Sequence, residues 1–161
     1  KGYSVNVPLL PYTTDEIYIE VFKNIVPRLI HLFNPDVIVA QLGIDTHYSD
    51  PLTHLSLTTQ GYSTIVKTIK NLGFPILALG GGGYSLQAVS RGWASAFAIL
   101  ANHCLQDQIP DSYKSKYSVS TISDKQQPKL SSFVRKSIDE AAKQSLKEIE
   151  KLILPILKKP R

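Results

Sequence analysis

The chain has 161 residues and a mass of 17.9 kDa, about one domain on the usual scale of roughly 150 residues. Hydrophobic residues make up 43% and charged residues 19%, which excludes wholesale disorder, and no apolar run approaches the roughly 18 residues of a membrane span. The net charge is +5, but residues 1–110 hold six basic and seven acidic side chains while residues 111–161 hold twelve and six, so the surplus lies on a C-terminal segment beside Glu148 and Glu150. That distribution describes a solvated helix face and argues against a nucleic-acid surface.

The chain opens on Lys1 with a strand-like run at residues 3–9 and no charged start leading into an apolar stretch. This pattern predicts no signal peptide and suggests the latter part of a longer chain. A single cysteine, Cys104, excludes an internal disulfide and an all-cysteine metal cluster, and makes a reducing, cytoplasmic setting the expectation. Thr13 followed by Glu16 has the spacing of a capping box. Behind it Ile17, Val21, Phe22, Ile25, Val26, Leu29 and Phe33 recur at helical spacing, with Pro27 as an expected kink and Asn34-Pro35 as the stop.

Residues 36–42 form a nearly continuous apolar run, the pattern of a parallel strand covered on both faces. A polar loop at residues 43–57 follows, long enough to suggest a functional role. Tyr62, Ile65, Val66, Ile69 and Leu72 mark a second helix ended by Gly73, and residues 75–79 form a second buried strand. That strand runs into Gly80-Gly81-Gly82-Gly83-Tyr84, after which Leu86, Val89, Trp93, Phe97 and Leu100 share one face of a third helix. Strand and helix alternate, which predicts an α/β fold with a parallel sheet. Residues 107–130, rich in Ser, Asp, Lys and Pro, read as loop, and residues 133–154 as a final charged helix ended near Pro155. The division is therefore residues 1–105, an α/β unit, and residues 106–161, a loop plus a basic helix.

In an open parallel sheet ligands bind at the carboxyl ends of the strands, and two features occupy that edge. Asp45 follows the first buried strand, where a carboxylate faces a metal or substrate, or closes an Asx turn. His47 lies two residues on, a weak ligand signal by itself, while His31 and His103 read as ordinary packing or surface residues. The glycine quartet is neither a phosphate loop, lacking the Lys-Ser or Lys-Thr that would follow, nor a dinucleotide fingerprint, whose third glycine position holds Ser85. It brings main chain close to a ligand and presents Tyr84 on a sharp turn, where a phenol can donate to a developing oxyanion.

Gln41-Leu42-Gly43-Ile44-Asp45-Thr46, Asp50-Pro51-Leu52 and Leu79-Gly80-Gly81-Gly82-Gly83-Tyr84 together resemble the C-terminal half of zinc-dependent histone-deacetylase-like enzymes. Asp50-Pro51-Leu52-Thr53-His54-Leu55 is most similar to the prokaryotic acetoin-utilisation branch. The resemblance runs from about Lys1 to Trp93. It implies a three-layer α/β/α fold of the arginase/deacetylase type, of which this chain is the C-terminal part. It implies Asp45 as one of three protein ligands to a catalytic Zn2+, and Tyr84 as the group that stabilises the tetrahedral oxyanion. Pro51 and Leu52 would form the wall, and Gly82 and Gly83 the floor, of the tunnel holding an acyl chain. The implied reaction removes acetyl or other acyl groups from acylated lysine, polyamine or a similar amine. The family's Asp-x-His ligand pair and His-His bases have no counterpart here, so the resemblance makes this chain one part of an enzyme that needs its upstream portion. The competing readings are a non-catalytic scaffold relative, and a ureohydrolase-type metalloenzyme, against which the quartet with Tyr84 speaks.

Overall fold

The computed structural model describes residues 3–157. Its elements run α1 (Asp15–Phe33), β1 (Ile38–Gln41), α2 (Thr59–Lys70), β2 (Ile76–Leu79), α3 (Leu86–Leu100), α4 (Asp111–Tyr117), α5 (Ser132–Leu152) and α6 (Leu154–Leu157). The strands β1 and β2 pair in parallel with Val39 opposite Leu77, so α2 is the crossover between them. This is a mixed α/β arrangement around a small parallel sheet.

Paired positions in a parallel ladder point to the same face. Ile38, Ala40 and Ile76 therefore share a face, and they pack with Tyr62, Val66 and Ile69 of α2 and with Ala96, Ile99 and Leu100 of α3. The opposite face carries Val39, Leu77 and Leu79, which are 58%, 54% and 48% exposed. The apolar run at residues 36–42 predicted cover on both faces; among the described residues only one face is covered.

On α3 the buried residues are Ala88, Arg91, Gly92, Ser95, Ala96 and Ala98, while Leu86 and Phe97 face outward. The small side chains decide this. A Cβ on Gly92 would stand 1.9 Å from Ile44 Cδ1, so only this face lets the helix approach β1 closely. A second core joins Ile17 and Val21 of α1 to Ile138 and Ala142 of α5, with Val7 and Leu9 packed on it.

Several local expectations are corrected. Residues 3–9 form no strand: among the described residues no neighbour supplies a ladder, and the segment instead lies against the α1–α5 core, with Pro8 O accepting from Ser145 Oγ. Thr14 rather than Thr13 precedes α1 and makes no side-chain cap; Thr13 donates to Leu10 O, and Glu16 pairs with Arg135 instead of reaching back. Helix α1 continues through Pro27 and ends at Asn34, in the left-handed conformation with φ 50°. Residues 107–130 are not all loop, since α4 lies within them. The final helix begins after a Ser131 cap and stops at Leu152; Pro155 falls inside α6, in a first turn where its missing N–H costs nothing. The charged face of α5 is solvated, as its composition predicted, with Arg28–Glu150, Arg135–Glu16 and Lys143–Asp139 pairs across or along it.

Candidate functional site

The carboxyl ends of β1 and β2 continue side by side as two loops. Leu42 N–H donates to Leu79 O at 2.9 Å and Ile44 N–H to Gly82 O at 2.7 Å, so the glycine segment lies along residues 42–44. Leu42 O accepts from both Tyr62 Oη and Trp93 Nε1 at 3.0 Å, which anchors the end of β1 to α2 and α3. Burial holds the Tyr62 phenol up to about 12, so it stays a donor.

The glycines are required by this approach. A Cβ on Gly82 would stand 2.0 Å from Asp45 Oδ2, and Gly83 adopts a φ of 148° that L side chains avoid. Asp45 therefore lies with its carboxylate across the Gly82 backbone. The group is half-buried, and no hydrogen-bond donor among the described residues engages its carboxylate oxygens. Its charge is nevertheless felt: the Tyr18 hydroxyl is pushed up by burial first and by Asp45 second.

Asp50 is the link between the two loops. It is buried, and its Oδ2 accepts from Tyr84 N–H at 2.8 Å while Oδ1 accepts from Leu52 N–H at 2.9 Å. Tyr84, Pro51 and Leu52 are exposed. Loops 43–57 and 80–84 thus bring Asp45, Gly82, Gly83, Tyr84, Pro51 and Leu52 to one end of the sheet.

His47 has a different environment from Asp45. Its ring is 1% exposed, with Nε2 at 2.9 Å from Asp124 Oδ2 and Nδ1 accepting from Ser49 N–H at 3.2 Å. An ionised carboxylate only accepts, so the proton sits on Nε2, and His47 is committed to Asp124 rather than to a site shared with Asp45. Asp124 also accepts from Thr59 N–H and from Arg91 Nη1, both at 2.8 Å. Burial alone would raise the Asp124 carboxyl, but the hydrogen bonds from His47, Thr59 and Arg91 overrule it and hold it well below the usual carboxylate range. His31 and His103 are exposed, as their sequence context predicted.

The sequence pattern does not single out Asp124, one acid in a Ser- and Lys-rich stretch. Arg91 did carry a signal, as a lone charge in an otherwise small and apolar helix turn. Among the described residues no group of three His, Cys, Asp or Glu side chains is arranged to hold a metal ion, and no helix is long and apolar enough to cross a membrane.

A histone deacetylase domain matches residues 1–100. The acetoin utilization protein AcuC of Staphylococcus xylosus is 36% identical over 123 residues, covering 72% of this chain and 32% of that protein. Histone deacetylase 8 of Xenopus tropicalis is 37% identical over 111 residues, 69% of this chain and 30% of that protein. A putative histone deacetylase 2 of Caenorhabditis elegans is 36% identical over 110 residues, 68% of this chain and 22% of that protein. This chain therefore spans about a third or less of the length of these curated relatives. By the domain match, by these identities, and by the paired loops that carry the shared motifs, the chain belongs to the histone deacetylase family.

Proposed function

We propose that the protein is a zinc-dependent amide hydrolase that removes acetyl or other acyl groups from acylated lysine, polyamine or a similar amine. In this reading residues 1–105 are the C-terminal half of a three-layer α/β/α deacetylase domain, and residues 106–161 are an extension packed onto it. The observation that carries it is the Asp45 carboxylate, lying across a glycine it would collide with if that residue had a side chain, and left without a hydrogen-bond donor among the described residues. A half-buried carboxylate in that state suits a cation. A catalytic zinc site takes about three protein ligands plus water, so Asp45 would be one ligand and the remainder would come from outside the described residues. When bound, such a metal lowers the pKa of its water toward neutrality.

The chain's own residues then have the following roles. Gly82 and Gly83 form a floor that admits an extended acyl-amine chain to the Asp45 carboxylate, and Pro51 and Leu52 stand at its side. The Tyr84 hydroxyl donates to the carbonyl oxygen as negative charge develops on it, an interaction typically worth about 3–4 kcal/mol of barrier. In the full-length protein, Asp45→Ala is expected to strip zinc, and Tyr84→Phe to retain zinc and fold while slowing hydrolysis of an acetyl-lysine peptide by about 10²-fold or more. Full zinc occupancy in the first variant, or normal turnover in the second, would refute the corresponding role. A wild-type protein that binds no zinc and hydrolyses no acyl-amine would favour the scaffold reading.

A further inference from the structure

We propose that Asp50 is a positioning residue that sets where both the oxyanion donor Tyr84 and the wall residue Leu52 stand; the inference rests on the role assigned to Tyr84 above. One carboxylate makes both contacts, Oδ2 to Tyr84 N–H at 2.8 Å and Oδ1 to Leu52 N–H at 2.9 Å. Asp50 is itself held by its neighbours. It is 7% exposed, and its own N–H donates to His47 O at 2.9 Å, closing the turn on which it sits.

Packing does not perform this task. The Tyr84 and Leu52 side chains are 56% and 65% exposed, so little apolar contact locates either of them. The residue before Tyr84 is Gly83, which contributes no stiffness of its own. The two segments are 34 residues apart in sequence between Asp50 and Tyr84, and this carboxylate ties them together. Hydrogen bonds from a backbone N–H to an ionised carboxylate are roughly twice as strong as neutral ones.

The chemistry also selects the residue type. Two N–H donors approach two different oxygens, and only a carboxylate offers an acceptor at each. Asparagine would turn an amide N–H₂ toward one of the donors, and glutamate would place both oxygens about one methylene too far out. Either change lets the Tyr84 backbone drift, and a displacement of about 1 Å of a positioned group can cost on the order of 10²-fold in rate.

The test is a double-mutant cycle in the full-length, zinc-loaded protein, using an acetyl-lysine peptide and separating kcat from KM. Asp50→Asn is expected to lower kcat by about 10- to 100-fold with zinc content retained. In a Tyr84→Phe background the same change is expected to cost less than about 3-fold, because residues acting through one group are not additive. Asp50→Glu, which keeps the charge, should repeat the pattern if Asp50→Asn folds poorly. Independently of turnover, amide hydrogen exchange at residues 52 and 84 should accelerate by about tenfold or more in either variant, through local opening. An equal loss of kcat in both backgrounds, or unchanged exchange at both amides, would overturn the proposal while leaving the role of Tyr84 standing. Normal turnover by Tyr84→Phe alone would overturn the role of Tyr84, and the proposal with it.

Discussion

Replacing Asp124 by asparagine tests whether the C-terminal extension is integral to the site-bearing part of the fold. The carboxylate is 3% exposed and takes hydrogen bonds from His47 Nε2, Thr59 N–H and Arg91 Nη1, which come from the loop after β1, the start of α2 and the middle of α3. Arg91 is equally enclosed, with a side chain 6% exposed, so without its partner a buried guanidinium keeps only the carbonyls of Gln87 and Ile122. Breaking a buried pair from one side costs roughly 3–5 kcal/mol, and the retained shape of asparagine places Asp124→Asn near the lower end, about 3 kcal/mol. For a domain of 150–250 residues that is a fall in Tm of about 6–12 °C. Thermal and urea unfolding of the full-length protein measure it, with Glu16→Gln as the control, since its exposed pair with Arg135 is worth under about 1 kcal/mol. The pH dependence has a definite sign. A carboxyl held below its usual value of 3.8 contributes stability that is complete above that pH and is lost as the pH falls further, so the gap between wild type and Asp124→Asn should close in acid. A change below about 1 kcal/mol at neutral pH, or a gap that widens in acid, would refute the argument.

Gly82→Ala inserts a methyl 2.0 Å from the Asp45 carboxylate, so the carboxylate or the loop must move; zinc affinity is expected to drop by about tenfold or more while unfolding changes little, and unchanged zinc affinity would contradict the placement of Asp45. Tyr62 has a folded-state pKa raised to about 12, so stability should be complete below pH 10 and fall as the pH climbs from 10 toward 12; Tyr62→Phe should flatten that slope and, by removing the bond to Leu42 O, cost about 1 kcal/mol at neutral pH.

What could be read from the sequence was whatever local chemistry or periodicity dictates. Helices α1, α2 and α3 followed from their three- and four-residue spacing, β1 and β2 from short apolar runs, and the two site loops from Asp45, the Asp50-Pro51-Leu52 run and a glycine quartet that no ordinary turn requires. Residues 3–9 misled because alternation describes a strand only if a partner supplies the ladder, and here the segment meets a helix pair. The orientation of α3 was not legible either: its large apolar residues recur on one face, yet the buried face is the one whose small residues let it approach Ile44. The tertiary structure alone decided the side-chain partnerships. Asp124 is 77 residues from His47 and 33 from Arg91, and Asp50 is 34 from Tyr84; such contacts leave no periodic trace in the chain. They form because a buried charge must find its counter-charge or donors wherever the fold presents them, and that meeting is set by packing rather than by neighbours in sequence.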